Sequence, residues 1–273
     1  MQRLKNKVII VTGAGGGLGE GIANVLAREG AKVVIAELRK EAGERVAARI
    51  RKRRGKALAV PCDVSRNTDI QATVSRTVGK FGRVDGLVNN AGVNFVKDSL
   101  QVTPEDWDRI MNIDLKGAFF FTQAVMRQMM RQKPVRGSIV NISSVHSFAC
   151  FPQSAPYDAA KWGIVGATKA IAVEYAKRGI RLNAVSPGLV NTQIWEDFLN
   201  AVDSKKKCWD YWKANIPIER VIEPEEIAAL CVFLLSDESA CITGANIFAD
   251  GGLTSQFASK PSFKLKPLLG KTR

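Results

Sequence analysis

The chain has 273 residues, 46% of them hydrophobic and 24% charged, with one histidine, five cysteines and a formal net charge of +14. That length and balance suit one large globular domain, or two small ones, with a sizeable core, and exclude a low-complexity or disordered chain. No apolar run reaches the roughly 18 residues of a membrane-spanning helix, and that of the opening MQRLKNKVIIVTG stops after five residues, too short for a secretory signal.

The cysteines at 62, 150, 208, 231 and 241 are scattered, odd in number and free of any CxxC pair, so they read as reduced thiols of a cytoplasmic protein. Neither a disulfide framework nor a metal site is expected from them. The positive charge is concentrated in two places. Residues 39–56 carry nine basic and two acidic side chains, and residues 256–273 carry five basic and none acidic. The first has helical apolar spacing through Val46, Ala47 and Ile50 and reads as a solvated helix face; the second reads as a basic C-terminal extension beyond a domain of residues 1–255. Neither interleaves aromatics with its charges, so nucleic-acid binding is not the expected role.

In chain order, short β-branched runs alternate with amphipathic segments. KVIIVT (7–12) predicts a buried strand leading through a glycine-rich turn into a helix. AKVVIAE (31–37) predicts a second strand before the basic helix. GKALAVPCDV (55–64) is a third, followed by a helix around 67–82. VDGLVNNAG (84–92) is a fourth ending in a tight turn, and 104–132 is largely helical with one break. GSIVNISS (137–144) is a fifth strand, with a long helix over 156–178. IRLNAVSPG (180–188) is a sixth, and a helix over 224–235 precedes a seventh in ANIFADGG. This alternation predicts one doubly wound, Rossmann-type α/β domain: a seven-stranded parallel sheet with helices on both faces.

The turn after the first strand, TGAGGGLGEG, spaces Gly13, Gly17 and Gly19 so that backbone N–H groups and a helix N-terminus can meet a pyrophosphate. The second strand ends at Glu37, where a carboxylate accepts from both hydroxyls of an adenosine ribose and repels a 2′-phosphate. Leu38 adds no charge beside it, whereas Arg39 offers a guanidinium to a phosphate. NAD is the expected cofactor in preference to NADP.

Tyr157 and Lys161 stand four apart in a helix-forming segment, so phenol and ammonium share a face. A phenol titrates near pH ~10; a fixed ammonium nearby favours phenolate and brings it toward working pH. Ser144, at the end of the fifth strand, offers a hydroxyl to a substrate oxygen beside that phenol.

In motif order the chain resembles the single-domain type of the short-chain dehydrogenase/reductase family from about residue 5 to 254. TGAGGGLG, with Leu18 between its last glycines, fits the family's cofactor turn. CDV, with Asp63 and Val64, fits its adenine contact, and NNAG, with Asn90, Ala91 and Gly92, the turn after the fourth strand. MNIDLKG sets Asn112 at its catalytic asparagine, and ISS and YDAAK set Ser144, Tyr157 and Lys161 at its catalytic positions. SPGLVNT, with Pro187, Gly188, Val190 and Thr192, fits the stretch beside the nicotinamide. The resemblance implies that Tyr157 is the general acid/base, that Lys161 binds the nicotinamide ribose and lowers the phenol's pKa, and that Ser144 orients the substrate oxygen. It also implies that Asn112 holds a water linking Lys161 to solvent, and that the chain forms a homotetramer or homodimer through its long helices.

His146, two residues beyond Ser144, is expected either to hydrogen-bond a polar substrate or to pair locally. Asn94 and Gln153 are further polar candidates at the pocket mouth. Residues 189–216 read as an insertion rich in Trp195, Phe198, Trp209, Tyr211 and Trp212, which serves either as a lid over the substrate or as a flap packed on the core. The substrate is expected to be a secondary alcohol or its carbonyl partner, with a sugar or polyol preferred. The alternatives are an NADP-dependent reductase of a hydrophobic ketone or sterol, and a non-catalytic NAD sensor.

Overall fold

A computed structural model describes residues 2–256. The basic extension expected over 256–273 lies, past Gln256, outside the described residues. Seven strands, β1 (Val8–Thr12), β2 (Lys32–Glu37), β3 (Lys56–Pro61), β4 (Gly86–Asn89), β5 (Gly137–Ile142), β6 (Ile180–Pro187) and β7 (Asn246–Ala249), form one parallel sheet in the order 3-2-1-4-5-6-7. Ile10 of β1 pairs with Val34 on one side and Leu87 on the other. Strand order reverses between β1 and β4, the crevice where open α/β sheets bind ligands at their carboxyl ends.

Continuous apolar strands serve a sheet covered on both faces, because alternate side chains point to opposite sides. Ile9 and Val11 join a core with α1 (Gly17–Arg28), α2 (Lys40–Lys52) and α9 (Pro224–Leu235). Ile10 joins the opposite core with α3 (Asn67–Phe81), α5 (Ala118–Met130) and α6 (Ala155–Tyr175). The break expected within 104–132 is a π-helical turn, Met111–Gly117, between α4 (Pro104–Ile110) and α5. The segment 189–216 holds two helices, α7 (Gln193–Ala201) and α8 (Lys205–Asn215). Among the described residues no helix is long and apolar enough to cross a membrane.

A buried polar chain fixes α6 on the sheet. Asn89 donates to Asn141 at 2.8 Å and to Thr122 at 2.9 Å, and Asn141 donates to Thr168 of α6 at 2.8 Å. The Ser143 hydroxyl donates to the Lys161 carbonyl at 3.0 Å. Buried polar groups persist only when paired, so this network sets the depth and rotation of the helix that carries Tyr157 and Lys161. The five cysteines are unbonded. Burial pushes the Cys62 thiol up to about 11 and the Cys231 thiol up to about 12, so neither is a thiolate at neutral pH.

Candidate active site

The glycine-rich turn occupies the switch point. Gly13 has φ +61, and a Cβ there would stand 2.8 Å from the Ala91 backbone. A Cβ on Gly19 would meet the Gly13 carbonyl oxygen at 2.3 Å and the Asn90 amide at 2.6 Å, so helix and strand approach as closely as only glycine allows. Gly19→Ala is expected to lower stability by about 1–3 kcal/mol, read from urea midpoints; a variant as stable as its parent would mean that the turn relaxes freely. Gly16, by contrast, faces open space, leaving room in front of the first N–H groups of α1. Asn90 acts from behind: its amide donates to the Thr12 and Gly13 carbonyls at 3.0 and 3.2 Å, while the Thr12 hydroxyl accepts the Asn90 and Ala91 N–H groups, each at 2.9 Å. Leu18 packs into the core below.

Glu37, 8% exposed, accepts from the Gly15 N–H at 2.9 Å and the Arg39 N–H at 3.2 Å. The Arg39 guanidinium lies 3.7 Å from the same carboxylate but is 75% exposed. The basic helix α2 is more than a solvated face: Arg45 donates to the Gly15 carbonyl at 2.6 Å, and Arg45 and Arg49 pair with Glu20 of α1. It thus walls the outer side of the turn. Asp63 accepts from the Ser65 N–H at 2.9 Å, and the Val64 carbonyl lies 2.7 Å from where a Cβ on Gly117 would stand, which locks β3's exit against the π-helical turn. Thr192, at the start of α7, lies against Gly17: a Cβ there would sit 3.7 Å from the threonine Cβ. Pro187 is buried at the end of β6, the Gly188 N–H donates to Ala249 at 3.1 Å, and Val190 bridges to Ile222. An open cradle of N–H groups, a carboxylate at the end of β2 and a hydroxyl across the turn fit a dinucleotide.

Tyr157 and Lys161 do share one face of α6, with Lys161 Nζ 5.1 Å from the centre of the phenol ring. Ser144 is buried at the C-terminal end of β5, and its Oγ accepts from the His146 N–H at 3.2 Å. Burial works to lower the pKa of the Lys161 ammonium, but the electrostatic influence of Asp114 and of the Tyr157 hydroxyl, with the Asp114 hydrogen bond, outweighs it, and it is raised above the ordinary lysine value.

Asn112 turns its Oδ1 to Lys116, accepting at 3.2 Å, and among the described residues no direct hydrogen bond joins it to Lys161. Asp114 stands there instead, its side chain fully buried and 3.1 Å from Lys161 Nζ, with its other oxygen accepting the Val93 N–H at 2.9 Å. Residues two apart on a helix do not share a face, and the π-helical turn shifts the phase again. Gly92 leaves room for the pair, since a Cβ there would meet Asp114 at 2.7 Å and Lys161 Nζ at 3.5 Å. A run of seven residues, MNIDLKG, holds both polar candidates, and only their burial tells them apart.

His146 pairs with Asp158, a residue the sequence did not single out, at 2.5 Å between Nδ1 and Oδ1. Its ring also meets that of Tyr157 edge to face at 5.2 Å. Asn94 is exposed and caps its own loop by accepting the Phe95 N–H at 2.9 Å. Gln153, with φ +68, holds that loop by its carbonyl, which accepts the Lys97 N–H at 2.8 Å. Trp195 lies inside the flap and not at its surface: it is 3% exposed and packs on Phe198 and Trp209. The insertion meets the loop after β5 through Trp212, whose ring lies 6.1 Å from that of Phe151.

Comparison with known proteins agrees with this geometry. The family profile described as enoyl-(acyl carrier protein) reductase matches residues 13–254. The chain is 38% identical over 253 residues to meso-2,3-butanediol dehydrogenase of Serratia marcescens, covering 93% of this chain and 96% of the relative. It is 37% identical over 257 residues to D-threitol dehydrogenase of Mycolicibacterium smegmatis, covering 92% and 94%. The crystal structure of 3-ketoacyl-(acyl-carrier-protein) reductase from Brucella melitensis complexed with NADH superposes with a TM-score of 0.84 at 35% identity, covering 92% of this chain and 99% of that one. With the switch-point turn, the Tyr157–Lys161 pair and these likenesses in hand, the chain belongs to the short-chain dehydrogenase/reductase family, as an oxidoreductase acting on CH–OH groups.

Proposed function

We propose that the protein is an NAD(H)-dependent dehydrogenase that interconverts a secondary alcohol of a polyol or sugar with its ketone, using Tyr157 as the general acid/base. The observation that carries this reading is the Lys161 ammonium, held by buried Asp114 at 3.1 Å and standing 5.1 Å from the centre of the Tyr157 ring. NAD, when bound, supplies the hydride acceptor for alcohol oxidation. The Gly13–Gly19 turn holds its pyrophosphate, Glu37 the adenosine ribose, Asp63 and Val64 the adenine end, and Thr192 the nicotinamide end. In oxidation the Ser144 hydroxyl donates to the substrate oxygen and Tyr157 takes that oxygen's proton, with the Lys161 ammonium stabilising the phenolate oxygen. In reduction Tyr157 returns the proton to the carbonyl oxygen.

The Glu37 carboxylate supports NAD over NADP, because a 2′-phosphate would bring like charges together. Two of the relatives are, by name, dehydrogenases of a diol and of a tetritol, which supports a polyhydroxy substrate.

A screen of NADH formation against vicinal diols, polyols, hydroxy acids and sterols, repeated with NADP, tests the reading. The expected result is the highest kcat/KM with a polyol and an NAD preference of at least about tenfold, worth ~1.4 kcal/mol. A higher kcat/KM with NADP overturns the cofactor assignment. Reduction of neither cofactor by any alcohol overturns the enzymatic reading in favour of an NAD sensor.

A further inference from the structure

All strands of a parallel sheet start at one edge, here the edge opposite the glycine-rich turn and Tyr157. The connections that enter β3, β5 and β6, residues 52–56, 131–136 and 177–181, hold ten basic side chains and no acidic one. Nine of the ten are exposed, and none of those nine makes a side-chain hydrogen bond or ion pair among the described residues. The tenth, Arg181, is half-buried and donates to the carbonyls of Leu234, Ser236 and Ile242 at 2.9, 2.9 and 3.1 Å. Asp85, Asp237 and Glu29 at the same edge are already paired, with Arg83, Lys7 and Arg3. Glu174, exposed near the end of α6, subtracts one charge. Cations at helix C-termini offset the macrodipole, and three helices, α2, α5 and α6, end at these connections. At about half a charge per helix, that accounts for about 1.5 of the ten charges.

The excess is spread in two directions. In the order 3-2-1-4-5-6-7, β3 and β6 stand five strand steps apart, about 24 Å. Across the sheet, α2 packs on one face, and α5 and α6 on the other. A broad patch meets a planar anionic surface with all three connections at once, whereas a nucleic-acid backbone follows a single basic track. None of the exposed large apolar side chains lies on these connections, so contact is by charge, without insertion. We propose that the amino-terminal edge of the sheet is a docking face for an anionic lipid surface. Docked there, the protein keeps the opposite edge, with Tyr157, turned toward solvent and substrate. The proposal stands apart from the dehydrogenase reading, since it uses no residue of the site.

The test is co-sedimentation of the full chain with vesicles of phosphatidylcholine, alone or with about 30% phosphatidylserine, at about 0.1 M salt. Affinity for the anionic vesicles is expected to exceed that for neutral ones at least about tenfold, and to fall steeply as salt rises toward about 1 M. Lys52→Glu, Arg53→Glu, Lys133→Glu and Arg136→Glu together are expected to lower that affinity at least about tenfold, with the urea midpoint and NADH affinity held. Gln at the same four positions is expected to lose less, and supplies the reading where the reversed variant does not fold. Lys260→Gln, Lys264→Gln and Lys266→Gln together isolate the basic C-terminal segment. Binding that these three changes abolish and the four keep overturns the proposal. Equal affinity for both vesicle types, or native affinity in the Glu and Gln variants, overturns it as well. Tight binding of duplex DNA by a protein that ignores anionic vesicles overturns it in favour of a nucleic-acid partner.

Discussion

Tyr157→Phe is expected to lower turnover by about 10²–10⁴-fold, the usual contribution of a positioned proton-transfer group, while leaving cofactor affinity and stability near their native values. The ring can stay where it is. Its neighbours, the His146 ring at 5.2 Å and Lys161 Nζ at 5.1 Å from the ring centre, meet the aromatic body, which phenylalanine retains. What would be lost is the phenol oxygen to which the proposed mechanism assigns the proton transfer. Steady-state turnover and fluorescence titration with NADH separate the two effects. Near-native turnover in the variant would end the proposed mechanism, and a matching loss of NADH affinity would show that the residue acts mainly in binding.

Asp114→Ala is expected to be the most destabilising single change at the site, by about 3–5 kcal/mol, the cost of stranding a buried charge. Both partners are shielded, with the Lys161 side chain 6% exposed and that of Asp114 not exposed at all. The substitution also leaves the Val93 N–H without its acceptor. The pH dependence has a definite sign. In native protein the Lys161 ammonium has a pKa above the ordinary lysine value, so its contribution is fully present below about pH 10.4 and is lost only as pH rises through the higher folded value. Without Asp114, burial dominates and lowers the folded value beneath the unfolded one. The unfolded chain then binds more protons, and the variant's stability rises with pH across the neutral and alkaline range. Urea midpoints from about pH 6 to pH 10 read this directly. A deficit that stays constant over that range would mean that Asp114 supports the fold by packing alone. Asp114→Asn, which keeps the size and one acceptor, is expected to lose less.

Much of the protein was legible in its sequence because the signals are local. Continuous β-branched runs such as VIIVT and KVVIAE, each followed by a segment of helical period, imply a parallel sheet covered on both faces, and seven strands form it. The glycine spacing 13-17-19 marks the turn at which β1 meets α1, since a helix packed that close to a strand tolerates no Cβ. The i, i+4 spacing of Tyr157 and Lys161 brings ring and ammonium together wherever a helix forms.

Other features depended on contacts between distant segments. Whether Asn112 or Asp114 meets Lys161 depends on which residue the π-helical turn rotates inward against α6, and no local pattern encodes that phase. Asp158 carries no signal of its own in the sequence, yet the fold buries it against a histidine from the loop after β5. Trp195 offers an aromatic to any partner, and packing against Phe198 and Trp209 draws it into the flap. By itself the sequence determined the strands, the helices, the cofactor turn and the tyrosine–lysine pair, because each follows from backbone period or from spacing along one element. Only the tertiary structure decided which carboxylates face the lysine and the histidine, because a buried charge selects its partner by distance through space.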